Sequence, residues 1–94
     1  MTLEVTPTKS FLKDLKRLGD EARQEQVIDA IGLFVENPWA SSLNFEKIRS
    51  KKGYFSIRAN YHDRILLRET GPSKYDAVAI GNHDYIYGSY FRGR

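Results

Sequence analysis

The chain has 94 residues, a net charge of +3 and no cysteine, with 40% hydrophobic and 29% charged residues. That length predicts one domain over residues 1–94, with a modest core, and that balance is globular rather than disordered. The missing cysteine excludes disulfide scaffolds, thiolate metal sites and cysteine nucleophiles. No signal-peptide pattern opens the chain, and no apolar run approaches the roughly 20 residues needed to span a bilayer. The expected location is therefore the cytoplasm.

The charge is unevenly spread. Residues 1–50 carry seven Lys/Arg and eight Asp/Glu, whereas residues 51–94 carry eight and four. Between Lys47 and Arg68 lie Lys47, Arg49, Lys51, Lys52, Arg58, Arg64 and Arg68, against Asp63 alone. Such clustering suits a polyanionic partner, nucleic acid first among them, with an acidic protein as the other candidate.

In chain order, Leu3 and Val5 alternate with polar neighbours and predict a short strand ended by Pro7. Phe11, Leu12, Leu15 and Leu18 then follow helical spacing, with Thr8 or Ser10 as cap and Gly19 as stop. Asp20 is placed to cap a second helix bearing Val27, Ile28, Ile31, Phe34 and Val35 on one face, ended before Pro38. The Gly19-Asp20 turn makes the two a helical hairpin. Residues 39–50 show no clear period and read as a loop, or as a short strand around Leu43 to Ile48.

Three strands follow. Residues 54–59 put Phe55, Ile57 and Ala59 on one face and Ser56 and Arg58 on the other. Asn60-Tyr61-His62-Asp63 supplies a turn. Residues 64–69 put Arg64, Leu66 and Arg68 opposite Ile65 and Leu67. Gly71-Pro72-Ser73 makes the next turn, and residues 75–80 the third strand. Short connections imply an antiparallel meander. The predicted class is α+β: an N-terminal strand, a two-helix hairpin packed on one face of an antiparallel sheet, and a short C-terminal tail.

Two constellations on this frame bear chemistry. Arg58 and Arg64 flank one turn, and two adjacent guanidiniums suit a phosphodiester or planar dianion. After the third strand comes Gly81-Asn82-His83-Asp84-Tyr85-Ile86-Tyr87. Imidazole is the side chain suited to acid–base work near neutral pH. Asp84 is placed either to orient His83 or to bind a cation, and Tyr87 to donate a hydrogen bond or stack on a base. His62, in its turn, reads as a surface residue. Two histidines and scattered carboxylates show no metal-ligand spacing, and no cofactor fingerprint is present. Tyr85, Tyr87, Tyr90 and Phe91 crowd a tail that closes over the sheet, stacks on RNA or meets a partner; the sequence leaves all three open.

The order of these motifs resembles the RelE/ParE superfamily of type II toxin–antitoxin toxins across nearly the whole chain. The residues that carry the likeness are Phe11-Leu12-Lys13-Asp14-Leu15, Tyr54-Phe55-Ser56-Ile57-Arg58, Asp63-Arg64-Ile65-Leu66, Ile80-Gly81-Asn82-His83-Asp84 and Tyr87. The resemblance to the RelE-like branch implies a metal-free, ribosome-dependent endoribonuclease that cuts messenger RNA in the A site. It implies phosphorane-stabilising roles for Arg58 and Arg64, an acid–base role for His83, substrate contact by Tyr87 and a carboxylate-base role for Glu46. RNA contacts fall to Lys47, Lys51, Lys52, Arg68 and Tyr90, with Tyr85 and Tyr90 competing with Tyr87 for the aromatic role. The implied partners are a cognate antitoxin, the ribosome and messenger RNA. A ParE-like gyrase inhibitor and an inactive antitoxin-binding module are the alternatives.

Overall fold

The computed structural model describes residues 2–92; Gly93 and Arg94, the end of the basic tail, lie outside the described residues. Strand β1 spans Glu4–Pro7, helix α1 Lys9–Arg17 and helix α2 Glu21–Glu36. Thr8 caps α1: its Oγ1 accepts from Phe11 N at 3.1 Å and donates to Ala77 O at 2.9 Å. One hydroxyl thus starts the helix and ties it to the sheet. Asp20 Oδ1 caps α2 by accepting from Ala22 N at 3.0 Å and Arg23 N at 3.3 Å. Between the helices Gly19 sits at φ +64°, a left-handed conformation that favours glycine.

The irregular stretch after Pro38 resolves into a 3-10 turn at Ser41–Leu43 and a two-residue strand β2, Glu46–Lys47. Strands β3 (Tyr54–Arg58), β4 (Arg64–Gly71) and β5 (Lys74–Gly81) form the meander. The sheet order is β1-β5-β4-β3-β2, with β1 joined to β5 in parallel and the other pairs antiparallel. A bulge interrupts β5: Leu66 pairs with Ala79 but Leu67 with Ala77, so Val78 is supernumerary. The bulge turns both Val78 and Ala79 to one face and returns Ile80 to the other.

Both faces of the sheet are covered. Under α1 and α2 lie Phe11, Val27, Phe34, Leu43, Ile57, Ile65, Leu67, Tyr75 and Ile80. On the opposite face Ile48, Leu66, Val78, Ala79 and Ile86 form a second cluster, backed by Tyr54, Tyr85, Tyr87, Tyr90 and Phe91. The aromatic tail therefore closes over the sheet, the first of the three fates left open by the sequence. It does so through a one-and-a-half-turn helix α3, His83–Tyr87, whose N-cap Asn82 accepts from Tyr85 N at 2.8 Å, and a 3-10 turn at Ser89–Phe91.

The β3–β4 turn is pinned to α2. Buried Asp63 receives Arg23 Nε at 2.9 Å and Nη2 at 2.7 Å, and Asn60 Nδ2 at 2.8 Å. The Arg23 bond, first among the causes, holds the Asp63 carboxyl below its ordinary value, against the opposing effect of burial. A depressed native value means that Asp63 stabilises the fold fully above the ordinary Asp range near ~4. That contribution is lost as pH falls from there through the native value. Asp63→Asn is expected to lower stability at neutral pH by about 2 kcal/mol. It should also flatten the acid limb below pH ~4, read by urea denaturation at several pH values.

Candidate functional site

The site forms where the face of β2, β3 and β4 turned away from α1 and α2 meets α3. Glu46 pairs with Ser56, and Ser56 with Leu66, so the Glu46 and Ser56 side chains share that face. Alternation puts Arg64 there too, opposite Arg58 in register, while Arg58 at the strand end also lines a cleft with Asp29 and Leu33 of α2. Arg64 is also the partner of Gly81 on β5, the residue just before the α3 cap. A single strand position therefore brings Arg64 to the root of the helix that carries His83 and Tyr87.

Tyr87 is the hub. Its hydroxyl donates to Glu46 Oε1 at 2.9 Å and lies 2.7 Å from Ser56 Oγ. A phenol has one proton, so with that proton on Glu46 the Ser56 hydroxyl donates to Tyr87. Glu46 Oε1 also accepts from Asn44 Nδ2 at 3.2 Å. Asn44 stands at φ 46°, a left-handed position asparagine tolerates. Both donors converge on Oε1, leaving Oε2 without a donor among the described residues. Burial, aided by Glu46, holds the Tyr87 phenol above its ordinary value, while Ser56 and Arg64 act in the opposite sense. Tyr87 thus stays a neutral donor at physiological pH and orients the carboxylate.

His83 stacks on the Tyr87 ring, 4.3 Å between centroids and 16° from parallel. This is an i, i+4 contact on one face of α3. The imidazole remains 61% exposed, with Asp84 Oδ1 3.6 Å from Nδ1. That distance is too long for a hydrogen bond, and Asp84 is 98% exposed. The orienting contact of His83 is the Tyr87 ring.

Arg64 is half-buried, and its Nη1 is the one buried side-chain polar atom without a hydrogen-bond partner among the described residues. A buried unpaired guanidinium N–H costs free energy, and no carboxylate among the described residues forms an ion pair with this arginine. Arg58 is exposed at the strand end, with no ion pair among the described residues. The site thus combines a held carboxylate, a neutral phenol, an accessible imidazole and an unpaired arginine, the parts needed to take a proton, give one and neutralise a phosphoryl group.

The remaining sequence candidates are dispersed. Lys47 pairs with Phe55 and so lies on the helix side of the sheet, away from Tyr87. Lys51 Nζ sits 5.8 Å from the Phe91 ring centroid, and Lys52 is exposed in the β2–β3 connection. Arg68 is committed to Asp76 at 2.7 Å, which with the Tyr54 phenol holds it protonated. Tyr90 and Tyr85 meet edge-to-face, 6.0 Å apart, within the second cluster. Ser56 and Asn44 were not among the sequence candidates. Ser56 was detectable as the one small polar residue on the Arg58 face of β3, whereas Asn44 depends on a backbone turn without sequence periodicity.

No protein-family model and no curated protein matches the chain. Solved structures do match. The YoeB/ParE toxin from Agrobacterium tumefaciens superposes with a TM-score of 0.70 over 86% of this chain and 99% of that one, at 21% identity. YafQ from E. coli strain BL21(DE3) gives 0.71 over 92% and 99%, at 14% identity. The chain has the YoeB/YafQ toxin fold. The YoeB dimer from Staphylococcus aureus aligns similarly, with a TM-score of 0.69 over 88% of this chain and 99% of that one, at 17% identity. Two relatives of this fold are also solved with antitoxins, as the E. coli DinJ-YafQ toxin-antitoxin complex and the YoeB-YefM toxin-antitoxin complex from S. aureus. At these identities the likeness carries the fold, and the chemistry must come from the residues above.

The Tyr87 hub is open to a direct test. Tyr87→Phe removes the donor on Glu46 and leaves Ser56 Oγ buried without its acceptor. The expected cost is about 1 kcal/mol, or roughly 4–8 °C in Tm for a domain of this size, measured by calorimetry.

Proposed function

We propose that this protein is the toxin of a type II toxin–antitoxin system and a ribosome-dependent endoribonuclease. It cuts messenger RNA in the A site without a metal ion and acts in the cytoplasm. The observation that carries the reading is the Glu46–Tyr87–Ser56 network with His83 stacked on Tyr87 and Arg64, without an ion pair among the described residues, on the same sheet face. Glu46 Oε2 takes the proton of a ribose 2′-hydroxyl, whose oxygen attacks the adjacent phosphorus. Arg64, with Arg58 beside it, neutralises the phosphorane. The bond from phosphorus to the 5′-oxygen breaks as His83 gives that oxygen a proton. The products are a 2′,3′-cyclic phosphate and a 5′-hydroxyl, and the proton on Glu46 balances the one lost by His83. Tyr87 holds both groups, one by hydrogen bond and one by stacking.

The test is cleavage of a defined messenger RNA in purified 70S elongation complexes. Cuts confined to the A-site codon support the reading. No cuts, with inhibition of gyrase supercoiling by the same preparation, would replace it with the ParE-like alternative.

The antitoxin partner has its own supporting observation. Val5, Pro7, Phe11, Leu12, Leu15, Ile28 and Ile31 line an apolar groove of about 270 Å³ between β1, α1 and α2. Leu12 and Ile28 are 50% and 57% exposed, and Lys9, Lys13, Lys16 and Arg17 stand exposed on α1. An amphipathic antitoxin segment with acidic flanks satisfies both the apolar floor and the cations. Ile28→Glu is expected to weaken antitoxin binding by about tenfold or more, measured by calorimetric titration, with cleavage unchanged.

A further inference from the structure

A second cleft, of about 480 Å³, opens where β5 ends between the helical hairpin and α3. Its walls include Asp14 and Arg17 of α1, Arg23 of α2, Gly81, Asn82 and Tyr85. That volume lies within the roughly 300–1,000 Å³ range of small-molecule sites.

Each cation of the cleft has a carboxylate partner, Arg23 tightly on Asp63 and Arg17 only loosely on Asp14, so Arg17 is the one open to exchange for a phosphate. Asp14 Oδ2 is occupied by Ile80 N at 3.0 Å, and its other oxygen lies 4.0 Å from Arg17, a loose ion pair. The Arg17 side chain is 73% exposed. Arg23 gives Nε and Nη2 to Asp63 and keeps Nη1 for another acceptor. Tyr85 supplies an aromatic wall in a fixed place, because its ring lies so close to Gly81 that any Cβ there would run into it. Guanidinium beside a fixed aromatic face is the pairing that takes a phosphate and a base together.

The cleft also adjoins the candidate site. Gly81 lines it and is the cross-strand partner of Arg64, while Asn82 lines it and precedes His83. Gly81 and Asn82 thus stand between the candidate site and the cleft, and a chain of nucleotides crossing Arg64 and His83 continues toward it. We propose that this cleft binds a nucleotide of single-stranded RNA flanking the cleaved phosphodiester, its phosphate on Arg17 and its base on Tyr85. The ligand's identity rests on the nuclease reading. An acidic peptide is the competing occupant, and the aromatic wall favours the nucleotide.

The test titrates the ¹⁵N-labelled full-length protein with a trinucleotide RNA whose riboses are 2′-O-methylated and so cannot be cut. Amide shifts are expected at Leu18, Gly81 and Asn82 in addition to Glu46 and Ser56. Arg17→Ala, at an exposed position outside the catalytic machinery, should erase the cleft shifts and weaken binding about tenfold. It should also reduce the slope of log affinity against log salt by about 0.7, the signature of one lost phosphate contact on a single strand. Tyr85→Phe should bind as the parent does, while Tyr85→Leu loses about tenfold through lost stacking.

Silent cleft amides, an unchanged affinity and salt slope in Arg17→Ala, or no shift at all up to millimolar RNA would each overturn the proposal. So would saturation of the cleft by a hexaglutamate peptide at concentrations where the trinucleotide leaves it untouched. Shifts in the cleft without shifts at Glu46 and Ser56 would uphold this site and count against the nuclease centre alone. Normal cleavage with a silent cleft would do the reverse.

Discussion

Arg64→Ala is expected to lower A-site cleavage by about 10²–10³-fold while leaving Tm unchanged within a few degrees. The first half follows from electrostatics: a preorganised donor aimed at developing phosphoryl charge supplies a factor of that order in kcat. The second half follows from the unpaired Nη1. A buried N–H with no acceptor destabilises the free protein by about 1–3 kcal/mol, so its removal offsets the packing lost with the aliphatic stem. Loss of function without loss of stability is the mark of a group held in place for a ligand. An arginine serving the fold would behave as Arg68 should, because Arg68 is paired with Asp76. Arg64→Lys adds a second comparison. An ammonium keeps the charge but not the planar fork, so it should recover only part of the rate. Cleavage of elongation complexes and calorimetry on the same preparations check both halves. An Arg64→Ala protein that cleaves at the parental rate would remove this residue from the centre.

The architecture was legible where one physical rule dominated. Helical spacing from Phe11 to Leu18, the Asp20 cap and the stop before Pro38 gave α1 and α2 nearly residue for residue. Alternation in residues 54–57 and 64–68 assigned each side chain to its face, and with it the Arg58–Arg64 register. What alternation could not give was β5. Its bulge at Val78 breaks the period of two, so Ala79 and Ile80 fall on faces a regular strand would exchange. The parallel pairing of β1 with β5 was likewise invisible, because it joins segments about 70 residues apart.

The site was legible in part for the same reason. Arg64, His83 and Tyr87 stood out by residue type and position. Their convergence depends on α3, and five residues are too few for helical periodicity to register. Read as a strand-end loop, residues 82–87 offered Asp84 as the natural companion of His83. Coiled into a helix, the same residues place position 87 over position 83, and Tyr87 becomes the companion. The basic stretch from Lys47 to Arg68 also divides on folding. Lys47 goes to the other side of the sheet, Arg68 to Asp76 and Lys51 to Phe91, so linear charge density overstated the cations that one anion can meet.

His83→Ala carries the second large effect, an expected loss of about 10²–10⁴-fold in cleavage, the usual contribution of a positioned proton donor or acceptor. The imidazole is largely exposed and its packing partner is the Tyr87 ring, so Tm should move little. The Tyr87–Glu46–Ser56 hydrogen bonds do not pass through His83 and should survive. Two further readouts separate a catalytic imidazole from a mere prop for Tyr87. His83→Phe keeps an aromatic ring for stacking but cannot transfer a proton, so it should be as inactive as His83→Ala. A substrate whose 5′-oxygen is replaced by sulfur at the scissile bond expels a leaving group that needs no proton. If His83 donates to that oxygen, the thio substrate should restore most of the rate in His83→Ala and do nothing for Arg64→Ala. Rescue of both variants would mean bond cleavage alone limits them. Rescue of neither, with His83→Phe active, would make His83 a support for the phenol and move proton transfer to Tyr87.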